Sequence, residues 1–229
     1  MTNEWQENEI AKFQSLSGTE LIRALNQAYP GKIAASSSFG AESAVLLALV
    51  AEVDPNIPVL TVNTLKLFAD TINYRDNLIQ TLGLKNVRIA EPDPAILAQD
   101  DPYSELRYQD ADACCHIRKV LPMAAISEGF TVILDGRKRF QSSTRTQTPA
   151  VEISGKVLKA APLASWSAQD IEDAFRERKL PRHPLVAQGY PSIGCEPCTS
   201  PVAPGEDARS GRWKGEGKTE CGLHKGSGN

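Results

Sequence analysis

The chain has few cysteines, no internal repeat and no long apolar run, and each shortage excludes something. Five cysteines in 229 residues, an odd number, do not make the disulfide framework that staples small secreted domains. No segment approaches a membrane-spanning length of apolar residues. The opening residues MTNEWQENEIAKFQ lack the basic start and apolar run of a secretory signal, so a cytoplasmic location is expected. Neither sign of charge dominates: 25 Lys and Arg against 28 Asp and Glu leave a formal charge of -3, with no global attraction for nucleic acid or an anionic membrane. Neither a Walker A loop nor a GxGxxG fingerprint is present.

What is present suits a soluble α/β protein. A composition 41% hydrophobic and 23% charged is ordinary for a globular chain. The spacing predicts helices over residues 19–29, with Thr19 as a capping residue, and over 41–52, 68–82, 110–129 and 167–179, the last capped by Ser167. Between them lie short apolar runs that read as strands: GKIAASS, VLTV, NVRIA and TVILD, followed by a hairpin in AVEISGKVLKAAPL turning at Ser154 and Gly155. Alternation of this kind predicts a mostly parallel sheet with helices on both faces, and ligands at the carboxyl ends of the strands. Residues 1–200 are expected to form that domain, and residues 201–229, rich in Gly, Lys and Glu, a mobile tail.

Three groups of residues carry chemistry. SSSFGAES joins the first strand to a helix, and its small residues suit a phosphate or sulfate cradle, although a polar turn with a Ser cap explains it equally well. Cys114 with Cys115, and Cys195 with Cys198 in CEPC, form two local pairs that fit a shared metal or cluster centre. Two local cysteine pairs suit zinc and an iron–sulfur cluster alike. Neighbouring side chains on a regular helix diverge, so two adjacent ligands require a local distortion, and an adjacent pair suits a four-iron cluster better than zinc. Arg118 and Lys119 stand about one turn beyond, either compensating such a centre or forming a solvated basic face. Arg137, Lys138, Arg139 and Arg145 follow the strand TVILD, where an open α/β sheet would place a nucleotide's phosphates. Cys221 lies among Arg209, Arg212, Lys214, Lys218 and His224, cations that would favour its thiolate.

Taken together, SFGAES, CCHIRKVLPM, GRKRFQSSTR, LPRHPLVAQGYPSIGCEPCT and GRWKGEGKTECGLH resemble the iron–sulfur branch of the thioredoxin-dependent assimilatory adenylyl-sulfate reductases, from about Ile33 to the end. The resemblance implies an adenine-nucleotide α-hydrolase-like fold and a [4Fe-4S] cluster on Cys114, Cys115, Cys195 and Cys198. It implies Cys221 as the nucleophile that takes the sulfur of adenylyl sulfate, releasing AMP, with reduced thioredoxin or a glutaredoxin-like donor then releasing sulfite. It further implies that Lys119, Arg209, Arg212 and His224 contact sulfate and phosphate, and that Ser36, Ser37, Ser38, Phe39 and Gly40 run along the nucleotide. The corresponding biology is sulfate assimilation and cysteine biosynthesis, without nucleic-acid or membrane partners and with homo-oligomerisation left open. NTLKLFADT departs from the family's usual D-T-G-[KR]-L-[FH]-x-E-T, with Asn63, Leu65 and Asp70 at the Asp, Gly and Glu positions. A 3'-phosphoadenylyl-sulfate reductase, an ATP-using tRNA sulfur transferase and a non-catalytic metal-binding module are the competing readings.

Overall fold

The computed structural model describes residues 4–216, 218 and 220–223. Six strands form one sheet: β1 (Ile33–Ser36), β2 (Val59–Val62), β3 (Val87–Ala90), β4 (Val132–Leu134), β5 (Val151–Ser154) and β6 (Val157–Ala160). Their order is β3-β2-β1-β4-β6-β5, and every pairing is parallel except the β5–β6 hairpin. The order reverses between β1 and β4, which opens a crevice at the carboxyl ends of those strands.

Helices α1 (Glu4–Phe13) and α2 (Gly18–Ala28) precede the sheet. The first crossovers are α3 (Ser43–Val53) and α4 (Ala69–Leu82). α3 is apolar all round, with Ala44 to Val50 buried, because α2 and α9 (Ala168–Glu177) cover the side that the sheet does not. α9 contributes Ile171, Ala174 and Phe175 to the same core, and its Ser167 Oγ accepts from the Asp170 amide while Asp170 accepts from the Ser167 amide. That reciprocal cap is worth about 1 kcal/mol. Strands β1 and β2 are buried over three of four residues, as expected for sheet interior, whereas Arg88 and Ile89 of the edge strand β3 are exposed.

The structure differs from the sequence pattern at several places. α2 starts at Gly18 with Ser17 as its cap residue, because Gly18 takes a positive φ of 53° that turns the chain into the helix before Thr19. The hairpin pairs Ser154 with Val157, so its loop is Gly155–Lys156, with the positive φ at Gly155. Two short helices, α5 (Pro94–Asp100) and α6 (Leu106–Gln109), lie in a segment whose periodicity is too brief to read. The helix expected over 110–129 is three pieces: α7 (Ala111–Cys115), a π-helical turn (His116–Val120) and α8 (Leu121–Ile126). The distortion demanded by two adjacent cysteines is thus built in immediately after them.

Candidate active site

The chain positions the cysteines from two directions. Asp110 caps α7 by accepting from the amides of Asp112 and Ala113, each at 2.9 Å, which fixes the helix that ends in Cys114 and Cys115. The other pair lies on a 3-10 turn (Glu196–Cys198) held on both flanks: the Glu196 amide donates to Lys66 O, and the Trp213 amide donates to Cys198 O. Gly194 is required just before this turn, since a Cβ there would sit 2.1 Å from an Arg212 Nη atom. Cys115, Cys195, Cys198 and the fully buried Trp213 pack together, with Cys221 against them. Cys114 is buried beside them and within electrostatic range of the other three.

Donors surround these sulfurs. Arg107 Nε reaches Cys198 Sγ at 2.8 Å, Thr64 Oγ1 lies 3.2 Å from Cys195 Sγ, and Lys119 Nζ is 3.9 Å from Cys115 Sγ. Burial pushes the thiols of Cys115 and Cys198 up and takes that of Cys114 to about 11, the last with a further contribution from Cys115. For Lys119 burial works downward, but the sulfurs of Cys195, Cys115 and Cys221 outweigh it and its net shift is upward. Arg118 and Lys119 are both buried, so they are not a solvated face. Arg118 binds Asp101 Oδ2 through Nη2 at 2.6 Å and Thr64 O through Nη1 at 3.1 Å, and so ties the loop after β2 to the loop after α5. Among the described residues, no group of three or more His, Cys, Asp or Glu side chains converges as a single metal ion would require.

A cavity of about 470 Å³ opens beside the cysteines at the carboxyl ends of β1, β2 and β4. Ser36, Ser37, Ser38 and Gly40 line it, as do Lys119, Arg145, Arg209, Arg212, Cys195 and Cys221. Phe39 does not: at φ 49° it turns into the hydrophobic core and is 1% exposed, so its contribution is to shape the loop. Ser36 and Ser37 spend their hydroxyls locally, Ser36 Oγ donating to Leu134 O and Ser37 Oγ accepting from the Phe39 amide. Arg137 reaches the lining but is held by Asp135 at 2.9 Å and Glu152 at 2.7 Å, carboxylates that overcome its burial and push its pKa up. His224 lies outside the described residues.

The remaining cations are wholly or largely buried. Burial pulls Arg212 down despite the opposing sulfurs, and its buried Nε has no partner among the described residues while its guanidinium lies 4.5 Å from the Trp213 ring centre. Arg209 falls to about 10, by burial first and Arg145 second, with Glu220 opposing. Lys138 is also lowered by burial, and it pairs with Glu42 at 3.0 Å. Such a wall favours an anionic ligand. Cys221, half-buried, lines the same cavity, within electrostatic range of Lys119, Arg209 and Arg212.

At the departing loop, Leu65 adopts φ 60°, the conformation glycine favours, but its side chain is half exposed and is absent from the cavity lining. Asn63 closes the turn by accepting from the Leu65 amide and donating to Glu91. The missing glycine therefore leaves the cavity unobstructed. Thr64, Arg107 and Glu220 were not legible as site residues: Arg107 stands outside every motif, and Thr64 and Glu220, although inside NTLKLFADT and GRWKGEGKTECGLH, are residue types that show no sulfur or anion chemistry until their folded partners are known.

Residues 32–201 match the family model described as phosphoadenosine phosphosulfate reductase domain. The chain is 48% identical over 215 residues to a protein of Mesorhizobium japonicum named adenosine 5'-phosphosulfate reductase, covering 93% of this chain and 85% of that one. It is 34% identical over 224 residues to one of the same name from Mycolicibacterium smegmatis, covering 96% and 94%. Among solved structures, a phosphoadenylyl-sulfate reductase from Candida auris in a phosphate complex superposes with a TM-score of 0.72 at 21% identity, covering 88% of this chain and 98% of that chain. A Candida glabrata FMN adenylyltransferase superposes at 0.56 and 15% identity, covering 86% and 64%. At those identities the structural matches speak to fold alone: a mostly parallel sheet with flanking helices.

Proposed function

Because the chain belongs to the phosphoadenosine phosphosulfate reductase domain family, we propose that it reduces adenylyl sulfate to sulfite and AMP, with thioredoxin as the electron donor and Cys221 as nucleophile. The observation that carries the reading is the placement of a half-buried thiol on the wall of a cavity that Lys119, Arg209 and Arg212 also line. The curated relatives named for adenosine 5'-phosphosulfate favour the substrate without a 3'-phosphate. Arg137, already neutralised by Asp135 and Glu152, points the same way.

In the first step the Cys221 thiolate attacks the sulfate sulfur. A sulfur–sulfur bond forms, the bond from sulfur to the bridging oxygen breaks, and AMP leaves with the electron pair on its phosphate. Two anions must meet, so the chain's task is to position them and screen their charge, which Lys119, Arg209 and Arg212 supply. In the second step a thioredoxin thiolate attacks Cys221 Sγ and expels sulfite as a mixed disulfide forms. The second thioredoxin thiol resolves it, so the two electrons come from the thioredoxin dithiol and Cys221 is regenerated.

Cys114, Cys115, Cys195 and Cys198 would hold a [4Fe-4S] cluster. The donor set fits it: each thiolate would bind a different iron, so the sulfurs need not converge on one point, and Trp213 Nε1 beside them is a buried donor with no partner among the described residues. Bound there, the group supplies fixed charge next to Lys119 and the substrate. Anaerobically purified protein should contain about four iron per chain; stoichiometric zinc in place of iron would overturn the assignment.

The test of the reaction is mass spectrometry after incubation with each sulfonucleotide and no reductant. Adenylyl sulfate should leave a sulfonate adduct on Cys221, and Cys221→Ser should form neither adduct nor sulfite while keeping its iron. Undiminished sulfite formation by Cys221→Ser would reject the mechanism.

A further inference from the structure

Glu220, the residue before Cys221, reaches back into the cavity wall. Its two oxygens accept from Arg145 Nε at 2.8 Å and Nη2 at 2.9 Å, and Oε2 also accepts from Arg209 Nη2 at 3.2 Å. All three side chains are largely buried. Arg145 is itself held: its Nη1 donates to Gln141 Oε1 at 2.7 Å, and Gln141 donates to Glu42, the partner of Lys138. Arg145 is thus preorganised, and with Arg209 it forms a two-guanidinium clamp in which the carboxylate is a guest from the tail.

We infer that Glu220 and the substrate's anionic group compete for the Arg145–Arg209 clamp, so that substrate entry exchanges one anion for the other and unseats the segment carrying Cys221. The inference rests on the reductase reading for the identity of the competing anion. A phosphate or sulfate presents three oxygens in place of two and can accept all of the N–H donations that Glu220 accepts. Glu216 to Arg107 at 2.7 Å and Lys218 to Asp112 tie the same segment lower down. Those pairs use Arg107 and Asp112 and no group of the clamp, so the exchange loosens the Cys221 end while the base of the segment stays attached. A nucleophile that must meet its substrate and then present its adduct to a second protein needs such a release.

The experiment compares the wild-type holoenzyme with Glu220→Gln and Glu220→Asp, using calorimetric titration with AMP and with inorganic sulfate, and ligand-free alkylation of Cys221 by iodoacetamide. Glu220→Gln, which keeps the size but not the charge, should bind both anions about tenfold more tightly and alkylate several-fold faster. Glu220→Asp should fall between. Anion affinity that is unchanged or weaker in Glu220→Gln overturns the competition. If AMP binds none of the proteins while sulfate still binds more tightly to Glu220→Gln, the clamp stands and the nucleotide reading fails.

Discussion

Gly194→Ala is the substitution that most directly tests how the site is assembled. A Cβ at this position would lie 2.1 Å from Arg212 Nη2, 2.4 Å from its Cζ and 2.6 Å from its Nη1. Ordinary contact begins near 3.4 Å, so the guanidinium must retreat by about 1.3 Å, the difference from the 2.1 Å approach. It cannot retreat freely, because Arg212 lies over the Trp213 ring and its backbone bridges to Thr199. A misplacement of about 1 Å in a positioning group costs on the order of a hundredfold in rate. The expected outcome is therefore a fall of about a hundredfold in kcat/KM for adenylyl sulfate. The urea midpoint should move by no more than the ~1–3 kcal/mol of an overpacked site. Sulfite formation should be followed with adenylyl sulfate and reduced thioredoxin, alongside the denaturation curve. Activity within threefold of wild type would refute the claim that Arg212 must occupy the space that Gly194 leaves.

Two further outcomes concern stability. His183 is buried, with Nδ1 accepting from the Leu185 amide and Nε2 against Thr71 Oγ1 at 3.0 Å, and burial lowers its pKa from 6.5 to about 4 although Asp70 opposes. The unfolded chain binds the extra proton between those values, so this contribution is full above pH 6.5 and is lost as the pH falls towards 4. Wild type should lose about 2 kcal/mol more than His183→Asn between pH 7 and 4.5 in urea titrations; equal losses would reject the assignment. At Leu65, with φ 60°, replacement by Gly should raise stability by about 1 kcal/mol and by Val should lower it by a similar amount. Calorimetric melting checks both, and a Leu65→Gly protein less stable than wild type would contradict the strain.

Much of the scaffold was readable because its signals are local. The VLTV strand, the apolar helix over α3 and the Ser167 cap each depend on spacing or on contacts three residues apart, and the structure places them where the pattern does. The helix of the adjacent cysteines was readable only in part. Its apolar periodicity runs through, while the π-helical turn carries Arg118 and Lys119, whose partners, Asp101 and the sulfurs, include groups from other parts of the fold. Phe39 shows the opposite failure: within a string of polar loop residues nothing marks it for the core, and a positive φ decides it.

The sequence by itself determined the alternation of strands and helices, the two cysteine pairs, and a thiol placed among cations near the end of the chain. Those features lie in residue type and short-range spacing, which need no partner to be recognised. Only the tertiary structure decided which charges face the cavity and which are spent elsewhere. Arg137 is neutralised by Asp135 and Glu152, Arg118 is buried on Asp101, and Arg145 and Arg209 close on Glu220. The physical reason is that a guanidinium's role is set by the anion it meets, and here each partner comes from a different part of the fold or a turn that only the folded chain brings round.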